Sequence, residues 1–306
     1  MSYRGFPASL RDANLSRLSK PSAVHLQTVH RRLAGRCRAL LVTASDGYQY
    51  ALKLIHPDCT PSMRASEALA SLLASRLGLP VAEWAPIVVE GHLKRCYDLI
   101  SMRSAVHAIG GPAVFYGSHI VTGERGELPY EIIPRSWHNR IVNRPDFVGM
   151  AIFDLWTIAL HRRQVVYAPL DGGSALRAIF IDHCTAFGGT ERREVTRPED
   201  VLSITREIYG SLWATDVAQE WIARIQGITS LELEAVIDCL PHMWVTKGWR
   251  EFVLSVLPSS GHWIERAAGR LTQLFRKACR TGDQPAKRKP FRILDNGCQH
   301  LESGAR

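Results

Sequence analysis

An Asp-Gly pair set between two strand-like runs places the strongest constraint on this fold. Arg38 to Ala44 and Tyr48 to Ile55 are apolar-rich, and Ser45-Asp46-Gly47 between them suits a tight hairpin. Two runs joined so closely lie antiparallel in one sheet. The next segment opens with Thr60-Pro61, a cap and a first-turn proline. It then carries apolar residues at 69, 72, 73 and 77 and stops at Gly78-Leu79-Pro80. That spacing predicts a helix over Arg64 to Leu77. Ala85 to Val89 and Arg95 to Ile100 read as further strands around Glu90-Gly91-His92. A sheet of at least four strands with one inserted helix makes residues 23–102 a small α+β lobe.

Residues 101–145 are rich in Gly, Pro and polar side chains, and irregular connections are expected there. Phe147 to Ile158 has helical spacing with Asp146 as cap, followed by the basic loop His161-Arg162-Arg163-Gln164. Val165 to Ala168 and Ala175 to Asp182 read as strands about the turn Asp171-Gly172-Gly173. Helical patterns then dominate, at Asp200 to Tyr209, Thr215 to Ile225, Ser230 to Cys239 and His262 to Lys277. The division that follows is a basic segment over 1–22, the sheet lobe over 23–102, a mostly helical lobe over 103–280, and a polar, flexible basic tail over 281–306.

Composition narrows the class. With 306 residues, 46% hydrophobic and 22% charged, the chain is neither disordered nor collagen-like. Its best apolar run, Gly149 to Leu160, is broken by Asp154 and falls short of the ~18 residues of a membrane span. The opening residues lack the apolar core of a secretory signal, so a cytoplasmic location without membrane association is expected. The seven cysteines are scattered with no Cys-x-x-Cys pair, which argues against a disulfide framework or a zinc cluster. The net charge of +9 belongs to the ends: residues 1–38 carry +7 and residues 265–306 carry +6, leaving the middle at −4. Solvated tails are the ordinary reading, and contact with nucleic acid or an acidic partner is the alternative.

Two carboxylates and a lysine stand out. Strand alternation puts Lys53 on the face of Ala51 and Ile55, a half-apolar setting for an ammonium, and Glu67 stands on the following helix. An exposed strand lysine beside a surface glutamate fits the same residues. Asp182 ends the second hairpin, where a turn-capping role is the alternative. His183 and Cys184 have no companion Cys/His cluster and are read as non-ligands, and the tryptophans at 156, 221, 244, 249 and 263 suit core helix faces.

The order of elements is the layout of a protein-kinase-type fold, and an ordered set of short motifs resembles the bacterial HipA-like kinase family. The set begins with Asp46-Gly47-Tyr48-Gln49-Tyr50-Ala51-Leu52-Lys53, Ser66-Glu67, Leu77-Gly78-Leu79-Pro80-Val81 and Phe115-Tyr116-Gly117-Ser118. It continues through Asn143-Arg144-Pro145-Asp146-Phe147-Val148-Gly149-Met150, Phe153-Asp154-Leu155-Trp156, Arg163-Gln164, Ile181-Asp182-His183 with Phe187, and Leu240-Pro241-His242-Met243-Trp244. The resemblance implies a bilobal α+β fold with a small β-rich N-lobe and a mainly helical C-lobe. It also implies binding of ATP with Mg2+ and, in active members, phosphate transfer to a Ser or Thr hydroxyl of a protein substrate. By position, Lys53 would hold phosphates, Glu67 would orient Lys53, and Asp182 would bind the metal.

Two stretches depart from the family pattern. The phosphate loop is represented by Gly35-Arg36-Cys37-Arg38, in which Gly35 alone permits close backbone approach while Arg36 and Arg38 offer only charge. The family's Asn-x-Asp catalytic loop is replaced by Ala159-Leu160-His161. His161 is the only titratable group at that position, and an imidazole accepts a proton near neutral pH. Loss of both polar residues points to a degenerate kinase that binds an adenine nucleotide with absent or weak transfer. An active kinase with a divergent loop and a nucleic-acid-associated regulator are the alternatives.

Overall fold

The computed structural model describes residues 21–33, 39–54, 61–90, 113–159, 163–188, 208, 216–259, 264–265 and 268–269. Gly35, Arg36, Arg38, Leu160, His161, the strand expected at Arg95 to Ile100, residues 1–20 and residues 270–306 lie outside them. So do the helices expected at Asp200 to Tyr209 and His262 to Lys277, apart from isolated residues. No helix among the described residues is long and apolar enough to cross a membrane.

The α+β class read from the sequence is the architecture observed. Strands β1 (Val24–Arg32), β2 (Leu40–Ala44) and β3 (Gln49–Lys53) precede helix α1 (Pro61–Arg76), and β4 (Trp84–Val89) and β5 (Ala113–His119) follow it. The five close into a barrel in the order β1-β2-β3-β5-β4, sealed by a short parallel pairing of β4 with β1 at Val24↔Ile87 and His25↔Val88. The hairpin at Asp46-Gly47 is the β2–β3 turn, where Gly47 takes a φ of +83° and Asp46 accepts from the Tyr48 amide.

Alternate residues point into the barrel. Leu40, Val42, Tyr50, Leu52, Ile87 and Phe115 form its core, while Lys53, Trp84 and Tyr116 face outward. Gly117 closes the barrel: a Cβ there would lie 2.2 Å from Ile87 Cδ1. Here the structure corrects the sequence reading, because β5 lies in the segment expected to be irregular. Strand β1, which the sequence reading did not identify, supplies the remaining wall.

Helix α1 packs on the outer face of β4 and β5. Its end is a Schellman motif, in which Leu79 N–H donates to Ala74 O at 2.9 Å and Gly78 N–H to Ser75 O at 2.9 Å, with Gly78 at φ +85°. Tryptophans from the chain's second half clamp this layer: Trp249 Nε1 donates to Ser66 Oγ at 3.0 Å, and Trp244 Nε1 to Val114 O at 3.2 Å.

The second half centres on α2 (Pro145–Trp156), buried from Phe147 through Trp156. Asp146 is not its cap. Arg144 holds that position with helical backbone angles, Pro145 opens the helix, and Asp146 lies in the first turn accepting from Asn143 Nδ2 at 3.0 Å. Burial raises the Asp146 carboxyl above its ordinary value, against the stabilising bond from Asn143. Strands β6 (Gln164–Leu170) and β7 (Ala175–Ile181) form a two-stranded antiparallel sheet. Helices α3 (Val217–Gln226), α4 (Ser230–Asp238) and α5 (Lys247–Ser259) complete this half, and the sequence reading did not identify α5.

Two backbone contacts tie the halves together. Phe180 N–H donates to Pro80 O at 2.8 Å, and Ala82 N–H to Phe180 O at 3.3 Å, so the strand leaving α1 runs alongside β7. This pairing fixes the end of β7 against α1.

Close packing of α2 on α3 depends on Gly149, where a Cβ would fall 2.3 Å from the Trp221 ring. Gly149→Ala is therefore expected to destabilise the protein by about 1–3 kcal/mol, because a buried indole and two packed helices must shift. A fall in the urea midpoint with an unchanged slope would show this, and an unchanged midpoint would count against it.

Candidate functional site

Lys53 and Glu67, on successive elements, meet the distant Asp182 in one ion cluster. The ammonium of Lys53 donates to Glu67 Oε1 at 2.6 Å and to Asp182 Oδ1 at 2.8 Å. Lys53 is 7% exposed and Glu67 2%. Three elements set the geometry: β3 turns Lys53 away from the barrel core, α1 supplies Glu67 from across the sheet, and β7 ends one residue before Asp182. Burial alone would lower the lysine's proton affinity. The Glu67 and Asp182 carboxylates outweigh it, and the ammonium is held well above the ordinary lysine value.

Behind the cluster the wall is aromatic. Tyr116 pairs with Lys53 across β5 and β3, stacks on Trp84 with centroids 5.4 Å apart, and its hydroxyl lies 3.2 Å from Ser71 Oγ on α1. Burial drives the Tyr116 hydroxyl far above its ordinary value, so it stays neutral.

Asp182 is held on its other side by residues to which the sequence reading gave no role. Gln164, first residue of β6, donates its amide to Asp182 Oδ2 at 2.8 Å. Arg163 donates to the carbonyls of Ile181 and Asp182 at 3.2 and 2.9 Å, and its Nε and Nη2 reach the carboxylate of Asp154 on α2. The available signal was position: Arg163-Gln164 opens the hairpin that Asp182 closes. His183 is buried with Nδ1 2.9 Å from Arg163, and Cys184 is buried beside it. Among the described residues, no three His, Cys, Asp or Glu side chains group to hold a metal ion.

Three non-glycine residues bordering this region adopt left-handed backbone angles: Ile158 (φ 52°), Asp182 (φ 59°) and Phe187 (φ 61°). Each such conformation costs on the order of 1–2 kcal/mol, so the surroundings hold it in place. At Ile158 the holding contact is a Schellman-type end of α2, with Ala159 N–H donating to Asp154 O at 2.9 Å. Ala159 itself is buried, and the Phe187 amide donates to Thr157 O.

The oxygen donors, Asp182 carboxylate and Gln164 side-chain amide, are hard. A small divalent cation such as Mg2+ is usually bound by one or two carboxylates together with substrate phosphates. The residues present fit a metal arriving with a phosphate ligand better than a metal alone, because Lys53 and Gln164 already satisfy both oxygens of Asp182.

A buried ion cluster adds little net stability, but breaking one is costly. Lys53→Met, which leaves two carboxylates without their cation, is expected to cost about 3–5 kcal/mol in urea unfolding at pH 7. The folded-state proton affinity of Lys53 exceeds the unfolded value near ~10.4, so its contribution is complete below that pH and is lost as pH rises through the folded value. The stability gap between wild type and variant is thus flat from about pH 7 to 9 and narrows only in stronger alkali. A gap that already closes near pH 8 would contradict this.

No protein-family model and no curated protein matches the chain. Among solved structures it is similar to the Helicobacter pylori proinflammatory kinase CtkA, with 13% sequence identity and a TM-score of 0.46, over 83% of this chain and 99% of that one. It is also similar to a Golgi casein kinase determined with manganese and ADP bound, with 13% identity and a TM-score of 0.30, over 81% of this chain and 76% of that one.

Proposed function

We propose that this chain is a nucleotide-binding protein of protein-kinase fold, of the HipA-like kind its motifs resemble, in which Ser/Thr phosphoryl transfer is absent or weak. The observation that carries the reading is the Lys53 ammonium bridging Glu67 on α1 and Asp182 after β7. Kinases use a strand lysine paired with a helix glutamate to hold nucleotide phosphates, and an aspartate after a later hairpin to hold the metal. In this reading the barrel with α1 is the small lobe and the helical half is the large one. Lys53 takes the phosphates of an adenine nucleotide, Glu67 keeps the lysine oriented, and Asp182 with Gln164 holds Mg2+. A bound divalent cation would neutralise phosphate charge. Gly35, Arg36 and Arg38 would line the phosphates from the β1–β2 connection, with less backbone access than a glycine-rich loop gives.

The reading of weak transfer rests on the loop after α2. The resemblance puts a polar Asn where Ala159 is buried and a carboxylate where His161 stands. Neither Ala159 nor Leu160 can orient a hydroxyl, and general-base participation is typically worth about 10²- to 10⁴-fold.

The poor phosphate loop sets the expected affinity at micromolar to millimolar, roughly −8 to −4 kcal/mol. Calorimetric titration with ADP and ATP, with and without Mg2+, is the test. Asp182→Asn, which leaves Lys53 paired with Glu67, is expected to remove the metal-dependent part of binding. Lys53→Met, assayed where it remains folded, is expected to weaken the nucleotide itself. No nucleotide response in the wild type, or one that both variants leave unchanged, sinks the proposal.

Transfer is tested with labelled ATP, including autophosphorylation. Turnover near zero in the wild type that appears in the double substitution Ala159→Asn, His161→Asp would support the degenerate reading. Robust wild-type turnover abolished by His161→Ala would overturn it and make His161 a working base.

A further inference from the structure

We infer that Arg163 is a positioning residue, one that fixes the backbone of Asp182 and so aims its carboxylate at Lys53; this rests on the nucleotide-site reading for the ligand, but not for the geometry. Asp182 sits at φ 59°, left-handed backbone that aspartate tolerates better than most residues but that its turn must still hold. Arg163 supplies that hold from one side. Its Nη1 donates to the carbonyls of both Ile181 and Asp182, the two peptide units that set the turn. The opposite edge of the guanidinium forks onto both oxygens of Asp154. Asp154 is 4% exposed on α2, the most continuously buried helix described, so the fork is anchored in rigid core.

The same Nη1 lies 2.9 Å from His183 Nδ1. His183 stacks edge-on against Phe153, also on α2, at 6.2 Å. Residues 181, 182 and 183 are thus all referred to α2 through one side chain. Next to it, Gln164 bonds Asp182 Oδ2 while Lys53 bonds Oδ1. Arg163 sets the main chain, and Gln164 and Lys53 set the rotation of the carboxylate. Lysine cannot replace the fork. It has one nitrogen for acceptors on two sides, so Arg163→Lys keeps the charge beside Asp154 and loses the hold on the turn.

The test compares wild type, Arg163→Lys and Asp154→Asn as full chains. Backbone hydrogen exchange is read at the Ala186 and Phe187 amides, whose bonds to His183 O and Thr157 O close this turn. Exchange there is expected to rise at least about tenfold in both variants while the amides of α2 and β4 keep their wild-type rates. In parallel, affinity for ADP with Mn2+ is expected to fall at least about tenfold, and affinity for ADP alone by less than about threefold. Combined with Asp182→Asn, Arg163→Lys should add no further loss.

Unchanged exchange at Ala186 and Phe187 overturns the inference, as does exchange that quickens equally across α2, because Arg163 would then be a general support of the fold. So does an equal loss with and without metal. If the wild type gives no nucleotide response, the proposed function falls, and the exchange comparison by itself decides whether Arg163 positions Asp182.

Discussion

A charged ammonium buried to 7% exposure is the constraint that the arrangement of elements answers to. Lys53 keeps its charge in a poorly solvated place only because two carboxylates reach it, one from the next helix and one from an element distant in sequence. That requirement fixes α1 against β3 and the end of β7 against both. The backbone then follows: residues 80–82 run beside β7, the Schellman end at Gly78 delivers them there, and the barrel presents Lys53 outward because its interior is filled by Leu52, Ile87 and Phe115. Replacing such a cluster with apolar side chains often costs nothing or even stabilises, so its presence here is better explained by geometry than by stability.

The cluster also joins two cores. One hydrophobic core fills the barrel, while the larger core runs continuously from α1 and the outer face of β4 and β5 through α2, the β6–β7 sheet and the later helices. Within the larger core Trp84 stacks on Tyr116 at 5.4 Å between centroids, and Trp244 lies tilted against both at 6.0 and 6.5 Å. A polar chain lies along the same seam, from Glu67 through Lys53, Asp182 and Arg163 to Asp154. Each member has its partner, which is what makes a buried polar chain tolerable and specific. Motion of α1 relative to α2 would have to break this chain, so the two helices are coupled through the site itself.

Much of this was legible in the sequence where local chemistry decides the structure. The β2–β3 hairpin followed from Asp46-Gly47, the end of α1 from Gly78, and the β6–β7 hairpin from Asp171-Gly172-Gly173. What was not legible has physical reasons. Strand β5 is covered on both faces, by barrel core and by α1, so it lacks the alternation of a half-exposed strand, and Gly117 inside it is a contact point. Strand β1 has irregularities in its pairing with β2 near Leu26–Thr28 and Val29–Arg31, which break its period. Asp146 has the composition of a cap, but Asn143, bonded to both Asp146 and the backbone of Ala178, draws it into the first turn instead. For the site, strand alternation gave the direction of Lys53. The hold of Arg163 on Asp182 was invisible because it runs to the carbonyls of residues 181 and 182, which every sequence possesses.

The uneven condition of the site bears on what it is for. The residues that the proposed function assigns to a phosphate ligand, Lys53, Glu67, Asp182 and Gln164, are mutually bonded, while the stretch expected to handle an acceptor hydroxyl opens with a buried alanine. A chain drifting from all function would have no reason to retain a costly buried charge cluster, since a methionine and two apolar neighbours would fill the space at lower desolvation cost. It would also have no reason to keep Asp182 and Phe187 in left-handed backbone, and at Ile158 a glycine would relieve the β-branched strain. Strain and buried charge persist together around Asp182, and the strain extends to Ile158 beside Ala159. Under the proposed function, that pattern is what selection for binding without equal selection for transfer would leave behind.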